Sequence, residues 1–237
     1  MQRKFLVRRI ISFLIMLIII PIVIAAGMFV LKDKNYLFVS LVIIMLTIAV
    51  FVMRFEDKKP KPREIVIISV LSAIAVVGRM AFFMIPQFKP IMAIVIISGV
   101  ALGGEAGFMV GVLSAFVSNF FFGQGAWTPW QMFSFGMAGL ISGLIFYNRK
   151  IRNSRILLCL HGALITMILY GGLMNFYTFI SFSSNITKEG IISIYLSGIP
   201  FDLVHAISTV FFLFIASKSM LEKIDRIRIK YGLLEGI

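Results

Sequence analysis

Long apolar segments alternate with short polar segments along almost the whole chain. A helix needs about 20 apolar residues to cross the hydrocarbon core of a bilayer, so segments of this length predict membrane-spanning helices. The predicted spans are residues 10–31, 36–53, 65–84, 90–103, 105–122, 130–147, 156–180 and 198–217. The fourth span is short and lies between a pair of prolines and a pair of glycines, so we expect it to cross with little tilt or incompletely. The pattern predicts an all-α, polytopic membrane helical bundle.

The composition supports a membrane protein and narrows its chemistry. Hydrophobic residues make up 60% of the chain, and the mean hydropathy is +1.02. A soluble domain of 237 residues cannot bury this much apolar surface, whereas a bilayer can cover it. The first apolar segment follows a basic start and lacks a small-residue cleavage site, so we expect a retained span rather than a signal peptide. The single cysteine, Cys159, excludes an internal disulfide and a thiolate metal cage.

The net charge of +13 comes from basic residues that cluster in the polar segments. Cytoplasmic loops of membrane proteins are enriched in Lys and Arg. If the N-terminus is cytoplasmic, most of the 23 basic residues fall on the cytoplasmic side, in residues 1–9, 54–63 and 149–155 and after residue 217. The outer loops then hold only Lys32, Lys34, Lys89 and Lys188. This distribution predicts a multi-pass protein of the cell membrane with both termini in the cytoplasm, and it argues against nucleic acid as a partner.

A charged segment divides the chain into two membrane units. Residues 54–64 contain two prolines and a high density of charge, which is typical of a linker. We expect an N-terminal membrane hairpin with this linker over residues 1–63, and a six-helix domain with a basic C-terminal tail over residues 64–237. The hairpin contains almost no polar residue within its spans, so an accessory role is the simplest interpretation.

Charged and titratable residues within the predicted spans are the first candidates for function, because a charge inside a bilayer is costly. Arg79 lies near the outer end of the third span, and Asp202 and His205 lie in the first turns of the last span. Asp202, His205 and Thr209 follow helical spacing and share one face. Two structural alternatives remain open: an ion pair between Arg79 and Asp202, or an Arg79 side chain that extends to the lipid headgroups.

The densest polar signal lies in the predicted outer loop over residues 118–131. This segment is uncharged but contains both tryptophans of the chain and several amide side chains: Asn119, Gln124, Trp127, Trp130 and Gln131. Aromatic walls with a few amides are typical of a pocket for an organic ligand, although tryptophan at a membrane interface also serves as a simple anchor. Three further polar side chains are predicted at the same level of the membrane: Lys89, Asn175 and Tyr177.

Two other patterns are structural. A capping box is predicted at the start of the sixth span, with Thr128 as N-cap, a proline after it and Gln131 at the third helical position. The fifth span carries small residues at steps of three and four, which predicts tight packing within the bundle: Gly103, Gly107, Gly111, Ser114 and Ser118. Ser69 and Ala73 form a shorter small-residue pair on the third span, which could face another subunit.

Several catalytic signatures are absent from the sequence. It contains no Walker A loop, so we do not expect the chain to hydrolyse ATP. It has no HExxH motif, and its two histidines, His161 and His205, lie at opposite predicted membrane faces. We therefore expect neither a zinc site nor another cofactor. A packing or interfacial role is the simplest interpretation of His161.

The order of these motifs is similar to that of a known family. The motifs are residues 89–99, the stretch Gly103-Gly104-Glu105-Ala106-Gly107-Phe108, the stretch Ser118-Asn119-Phe120 and, above all, the segment Gly-Gln-Gly-Ala-Trp-Thr-Pro-Trp-Gln at 123–131. Together they resemble the substrate-specific S components of energy-coupling factor (ECF) transporters. The resemblance covers residues 64–217 and leaves the N-terminal hairpin outside. Within the family, the chain looks most like members assigned to cobalamin or related corrinoids.

The resemblance implies a six-helix membrane subunit that is not an enzyme and binds a vitamin or related micronutrient on the outer side. It also implies partners, namely a transmembrane coupling subunit and two ABC-type ATPases. The family's docking pattern Ala-x-x-x-Ala corresponds here to Ser69 and Ala73. The substrate-binding residues that we predict are Arg79, Lys89, Asn119, Gln124, Trp127, Trp130, Gln131, Asn175, Asp202 and His205.

Two other functions remain open from the residues alone. A membrane-embedded enzyme acting on a lipid or isoprenoid head group would use Asp202 and His205 as acid–base partners, and it would need a second polar cluster beside them. A structural or assembly subunit would use the small-residue face of the fifth span as its working surface.

Overall fold

The computed structural model describes residues 2–31, 35–55, 62–182 and 187–231. Lys32, Lys34 and residues 56–61 of the predicted linker lie outside the described residues, as does the end of the chain after Tyr231. Within the described ranges the chain is helical and contains no β-strand. This confirms the predicted all-α class.

The helices of the described residues differ widely in length. In chain order they are α1 (residues 2–29, with a π-helical turn at Ile15–Ile19), α2 (Tyr36–Phe55), α3 (Pro62–Ala81), α4 (Ile91–Leu102), α5 (Gly104–Phe122), α6 (Trp127–Phe146), α7 (Arg155–Phe182, with a π-helical turn at Ile165–Gly171) and α8 (Lys188–Tyr231). Of these, α1, α5, α6, α7 and α8 contain segments that are long and apolar enough to cross a membrane. The bundle is therefore polytopic, as the sequence predicts.

The short helix α4 forms the centre of the bundle. All residues of Ile91–Leu102 are buried, because this segment has no polar face and must be covered on every side. The helices α3, α5, α6 and α8 pack around it. Its 12 residues extend over about 18 Å, which is shorter than a hydrocarbon core of about 30 Å. The short fourth helix expected from the sequence is confirmed.

The last helix, α8, is much longer than the sequence predicts. The helix runs over Lys188–Tyr231 and thus extends beyond both ends of the predicted span over residues 198–217. Its 44 residues extend over about 66 Å, more than twice a hydrocarbon core of about 30 Å. Pro200 is accommodated inside the helix, and Leu221 and Ile224 are buried beyond the predicted end. The basic segment after residue 217 therefore continues the helix instead of leaving it.

The backbones of α5 and α6 touch directly. Gly107 on α5 lies against Gly139 on α6, and Gly111 lies against the backbone of Phe135. A methyl group at Gly107 would lie 2.6 Å from the carbonyl oxygen of Gly139, so no larger side chain fits without moving a helix. The small-residue face predicted on the fifth span packs within the bundle, and α6 supplies glycines that match it.

The N-terminal hairpin of α1 and α2 packs on α5 and α6. Its buried side chains Met16, Ile20 and Ile43 belong to the same hydrophobic core as the central helices. Within the hairpin, Gly27 on α1 packs against Val39 on α2. The hairpin thus covers part of the surface of α5 and α6, while the division of the chain at residue 63 stays a prediction.

One end of the bundle, which we call the Arg152 end, is held by an ionic cluster. Arg152 donates to both carboxylate oxygens of Asp225, at 2.8 and 2.9 Å. Arg228 lies 3.7 Å from the same carboxylate, and it donates to the carbonyl oxygen of Ala101 at 2.9 Å and to the hydroxyl of Tyr147 at 3.0 Å. The cluster connects the end of α8 to the ends of α4 and α6.

The substitution Gly107→Val should destabilise the bundle, because the branched side chain forces α5 away from Gly139. Overpacking of this kind costs about 1–3 kcal/mol, which we expect as a lower unfolding temperature in detergent. Gly172→Ala is the matched control, since nothing lies within 4 Å of a Cβ at that position, and its unfolding temperature should stay the same or rise. Equal unfolding temperatures for Gly107→Val and the wild type would contradict the close helix contact.

The substitution Asp225→Asn should destabilise the Arg152 end, because two mostly buried guanidinium groups then lose their shared counter-charge. We expect a loss of about 1–3 kcal/mol in thermal unfolding at low salt. Glu222→Gln removes an exposed carboxylate that lies 4.0 Å from Lys218, and a surface pair of this kind contributes about 0–1 kcal/mol. An equal loss in both variants would show that the ionic cluster has no special role.

Candidate functional site

Arg79 connects the ends of α3 and α5. Its guanidinium group donates to the hydroxyl of Ser118 and, at 2.8 Å, to Oδ1 of Asn119. Arg79 lies in the last turn of α3, and both acceptors lie near the end of α5. We call this side of the bundle the Asn119 end. The Arg79 side chain is bonded within the protein, so the extension to lipid headgroups that the sequence left open is not observed.

Asn119 is the centre of a hydrogen-bond network. Only 1% of its surface is exposed. Its amide nitrogen donates to Oγ1 of Thr128 at 3.1 Å and to Oε1 of Gln131 at 2.9 Å, while its oxygen accepts from Arg79. Both polar atoms of the amide are therefore used. One buried side chain thereby joins the ends of α3, α5 and α6.

Gln124 and Thr128 hold the loop between α5 and α6. Nε2 of Gln124 donates to the carbonyl oxygen of Phe116 at 3.0 Å, and its Oε1 accepts from the Thr128 hydroxyl at 2.9 Å. The backbone N–H of Gly125 donates to the same hydroxyl at 3.2 Å. Gln124 is thus engaged in fixing the loop that carries the predicted site.

The first turn of α6 differs from the sequence prediction. The helix begins at Trp127, and its N-cap residue, Ala126, makes no side-chain hydrogen bond. The predicted capping box of Thr128 and Gln131 is wrong, because both side chains accept hydrogen bonds from Asn119 on α5. Hydrogen bonds from Asn119 on α5 take the place of the predicted capping bonds within the first turn of α6. The spacing of residues along the chain does not distinguish these two arrangements.

The two tryptophans lie in different environments. Trp127 is 39% exposed, and its ring lies against Gly125. Trp130 is partly buried, and its ring centroid lies 6.0 Å from that of Phe176 and 5.8 Å from that of Tyr177 on α7. Trp130 therefore packs between α6 and α7, whereas the exposure of Trp127 suits an interfacial anchor.

Two cations contact the same aromatic ring at the Asn119 end. The guanidinium carbon of Arg79 lies 4.4 Å from the ring centroid of Phe122, and Nζ of Lys89 lies 5.0 Å from it. Burial and the neighbouring charge of Arg79 lower the pKa of the Lys89 ammonium. The carbonyl oxygen of Lys89 accepts from the Ser208 hydroxyl at 3.0 Å, which attaches this loop to α8. Positive charge is therefore concentrated beside an aromatic surface.

Asp202 pairs with Asn175 and not with Arg79. Nδ2 of Asn175 donates to Oδ2 of Asp202 at 2.8 Å. Two glycines make room for this pair, since the Asp202 carboxylate lies against Gly171 and the Asn175 amide lies against Gly198. The pair connects α7 and α8. The ion pair between Arg79 and Asp202 is not formed among the described residues.

His205 is buried against two aromatic rings. Its ring lies edge-on to Tyr170 at 4.8 Å and to Phe135 at 6.3 Å. Tyr170 also interacts with Gln131 and so connects His205 to the Asn119 network. Tyr170 was not predicted from the sequence, because it lies in the π-helical turn of α7, which changes the regular spacing of side chains.

This arrangement favours binding over acid–base catalysis. Asp202 and His205 share a helix face but contact different neighbours, Asn175 and Tyr170. Within the described ranges, no group of three or more His, Cys, Asp or Glu side chains is placed to hold a metal ion. His161 lies apart from the site, with Nε2 2.8 Å from the Ser142 hydroxyl of α6.

Part of the chain is similar to curated proteins of Aliivibrio and Vibrio species. The UPF0397 proteins of Aliivibrio fischeri and Aliivibrio salmonicida are 34% identical to it over 87 residues, and that of Vibrio atlanticus is 32% identical over 87 residues. Each alignment covers 35% of this chain and 47% of the relative, so the chain spans about half the length of the curated relatives it matches. No solved structure matches the chain.

The match to a protein-family model covers much more of the chain. It extends over residues 63–217. This range contains Arg79, Asn119, Gln131 and Asp202 and excludes the N-terminal hairpin. Since the match covers well over half of the chain, this protein belongs to the family of the ECF transporter, substrate-specific component.

Proposed function

We propose that this protein is the substrate-binding membrane subunit of an ECF-type importer and captures a small organic micronutrient for uptake. Its family supports this function. The observation that carries the proposal is the hydrogen-bond network of Arg79, Asn119 and Gln131, which lies at one end of the bundle within the family-matched residues.

The Asn119 end offers the contacts that an organic solute needs. Arg79 and Lys89 supply positive charge beside the ring of Phe122, Trp130 supplies a partly buried aromatic ring, and the buried ring of Tyr170 packs on His205 in the same region. Such a combination of apolar walls and a few fixed polar groups is typical of small-molecule sites. A corrinoid, the substrate class that the resemblance implies, presents amides and a phosphate that match these donors. The proposed site comprises Arg79, Lys89, Asn119, Gln131, Trp130, Tyr170, Asn175, Asp202 and His205, with Gln124 and Trp127 at its rim.

The distribution of charge supports an orientation for this site. Exposed basic residues collect at the Arg152 end of the bundle and beside it: Arg149, Lys150, Arg155, Lys218 and Lys223. Because basic loops remain in the cytoplasm, we propose that the Arg152 end is cytoplasmic, together with both termini. The Asn119 end then faces outward, where it meets a solute that is to be imported.

Uptake needs an energy source, and we propose that a transmembrane coupling subunit with two ABC-type ATPases provides it. Ser69 and Ala73 are exposed one turn apart on α3, as a docking pair requires. Ala73 also lines an apolar groove of about 550 Å³ between α3, α4 and α8, together with Gly78 and Phe212. The N-terminal hairpin packs on α5 and α6, and both Ser69 and Ala73 stay exposed within the part of the chain that the structure describes.

The substitution Arg79→Gln should release the bound solute, because it removes the guanidinium group at the centre of the proposed site. Mass spectrometry of small molecules retained by the purified protein measures this loss. We expect retention to fall about tenfold, which corresponds to about 1.4 kcal/mol.

Arg228→Gln makes the same chemical change at the Arg152 end and is the matched control. It should retain the solute at the wild-type level. Equal retention in Arg79→Gln and the wild type would contradict the proposed site, and an equal loss in both variants would attribute the effect to stability.

The substitution Ala73→Trp should weaken assembly with the coupling subunit while the solute stays bound, because the indole fills the groove on α3. Copurification of the coexpressed partners with the tagged protein should fall about tenfold. Ala26→Trp, at an exposed position of α1 outside the family-matched residues, should copurify them normally. Undiminished copurification with Ala73→Trp would exclude this face as the docking surface.

A further inference from the structure

A lateral groove, which we call the α6–α7 groove, runs between α6 and α7 and is bordered by Tyr195 of α8. Its volume is about 530 Å³. Apart from His161 and Tyr195, its lining is apolar, and it includes Ile141, Ile145, Leu164, Ile168 and Phe176. Arg79, Asn119 and Gln131 do not line it. The groove is therefore distinct from the site proposed above.

The course of α7 explains the groove. The π-helical turn Ile165–Gly171 interrupts the regular row of side chains that would otherwise cover this face. Gly172 follows directly, and nothing lies within 4 Å of a Cβ built at that position. Ile168, which lies in the turn, is 70% exposed. The surface of α7 is therefore open here.

The polar groups of the groove are already bonded within the protein. Nε2 of His161 lies 2.8 Å from the Ser142 hydroxyl, and the Tyr195 hydroxyl donates to the carbonyl oxygen of Gly172 at 3.0 Å. What the groove offers to an occupant is mainly hydrocarbon surface. A hydrocarbon chain matches this surface, whereas a polar solute does not.

The groove is long enough for a lipid chain. Between His161 and Phe176, α7 rises by about 22 Å. One leaflet of a hydrocarbon core of about 30 Å is about 15 Å thick, so the groove is long enough to take one acyl chain over the whole length of that chain.

Exposed positive charge follows directly after one end of the groove. Ile145, which lines it, lies at the end of α6, and the exposed residues Arg149 and Lys150 come three and four residues after the last residue of that helix. Lys and Arg at the membrane surface attract anionic headgroups. We propose that the α6–α7 groove binds one acyl chain of an anionic phospholipid whose headgroup lies at Arg149 and Lys150.

Native mass spectrometry of the lipid-depleted, full-length protein tests this site. Titration with dioleoyl phosphatidylglycerol should show one retained lipid, and dioleoyl phosphatidylcholine should bind about tenfold more weakly. Gly172→Phe places a ring in the groove and should lower retention of phosphatidylglycerol about tenfold. Ile207→Phe, at an exposed position of α8 outside the groove, is the matched control and should bind as the wild type does.

The headgroup is tested with the double variant Arg149→Gln and Lys150→Gln, which should lose the preference for phosphatidylglycerol over phosphatidylcholine. Lys223→Gln with Arg226→Gln removes two exposed charges on α8 and should keep the preference. Unchanged retention in Gly172→Phe, or an equal loss in Ile207→Phe, would overturn the groove as a lipid site. Equal binding of both lipids by the wild type would overturn the anionic headgroup.

Discussion

The direct contact between the backbones of α5 and α6 is the constraint on which the rest of the structure depends. Because Gly107 and Gly139 have no side chains, the two helices approach until their backbone atoms touch. This approach brings the end of α5 beside the first turns of α6, so that Asn119 bonds across the gap to Gln131. Arg79 then joins from α3. The candidate site thus rests on a contact that contains no polar side chain.

The short helix α4 adds a second constraint, because it is too short to reach both membrane surfaces. Its ends lie within the protein, and polar groups beside them are bonded to α8. The carbonyl oxygen of Ala101 accepts from Arg228 at one end, and that of Lys89 accepts from Ser208 at the other. α8 therefore contacts both the Asn119 end and the Arg152 end, which explains why so long a helix packs on so compact a bundle.

The region of the candidate site could be predicted from the sequence because polar residues are rare in an apolar chain. Arg79, Asn119 and Gln131 stand out for this reason, and they are bonded to one another. Their partners could not be predicted. Asp202 is bonded to Asn175 and not to Arg79, since the choice between them depends on which helices are neighbours. Tyr170 was missed because a local change of helical spacing is invisible in the residue pattern.

The sequence by itself determined the helical class, the short fourth helix and the likeness to S components, because apolar length and residue order are properties of the chain itself. Only the tertiary structure decided the start of α6, the extent of α8 and the open surface at Gly172. At the first two of these places a local preference competes with a contact from another helix. The interhelical contact decides the outcome, because a buried polar group must be bonded and a buried apolar face must be covered.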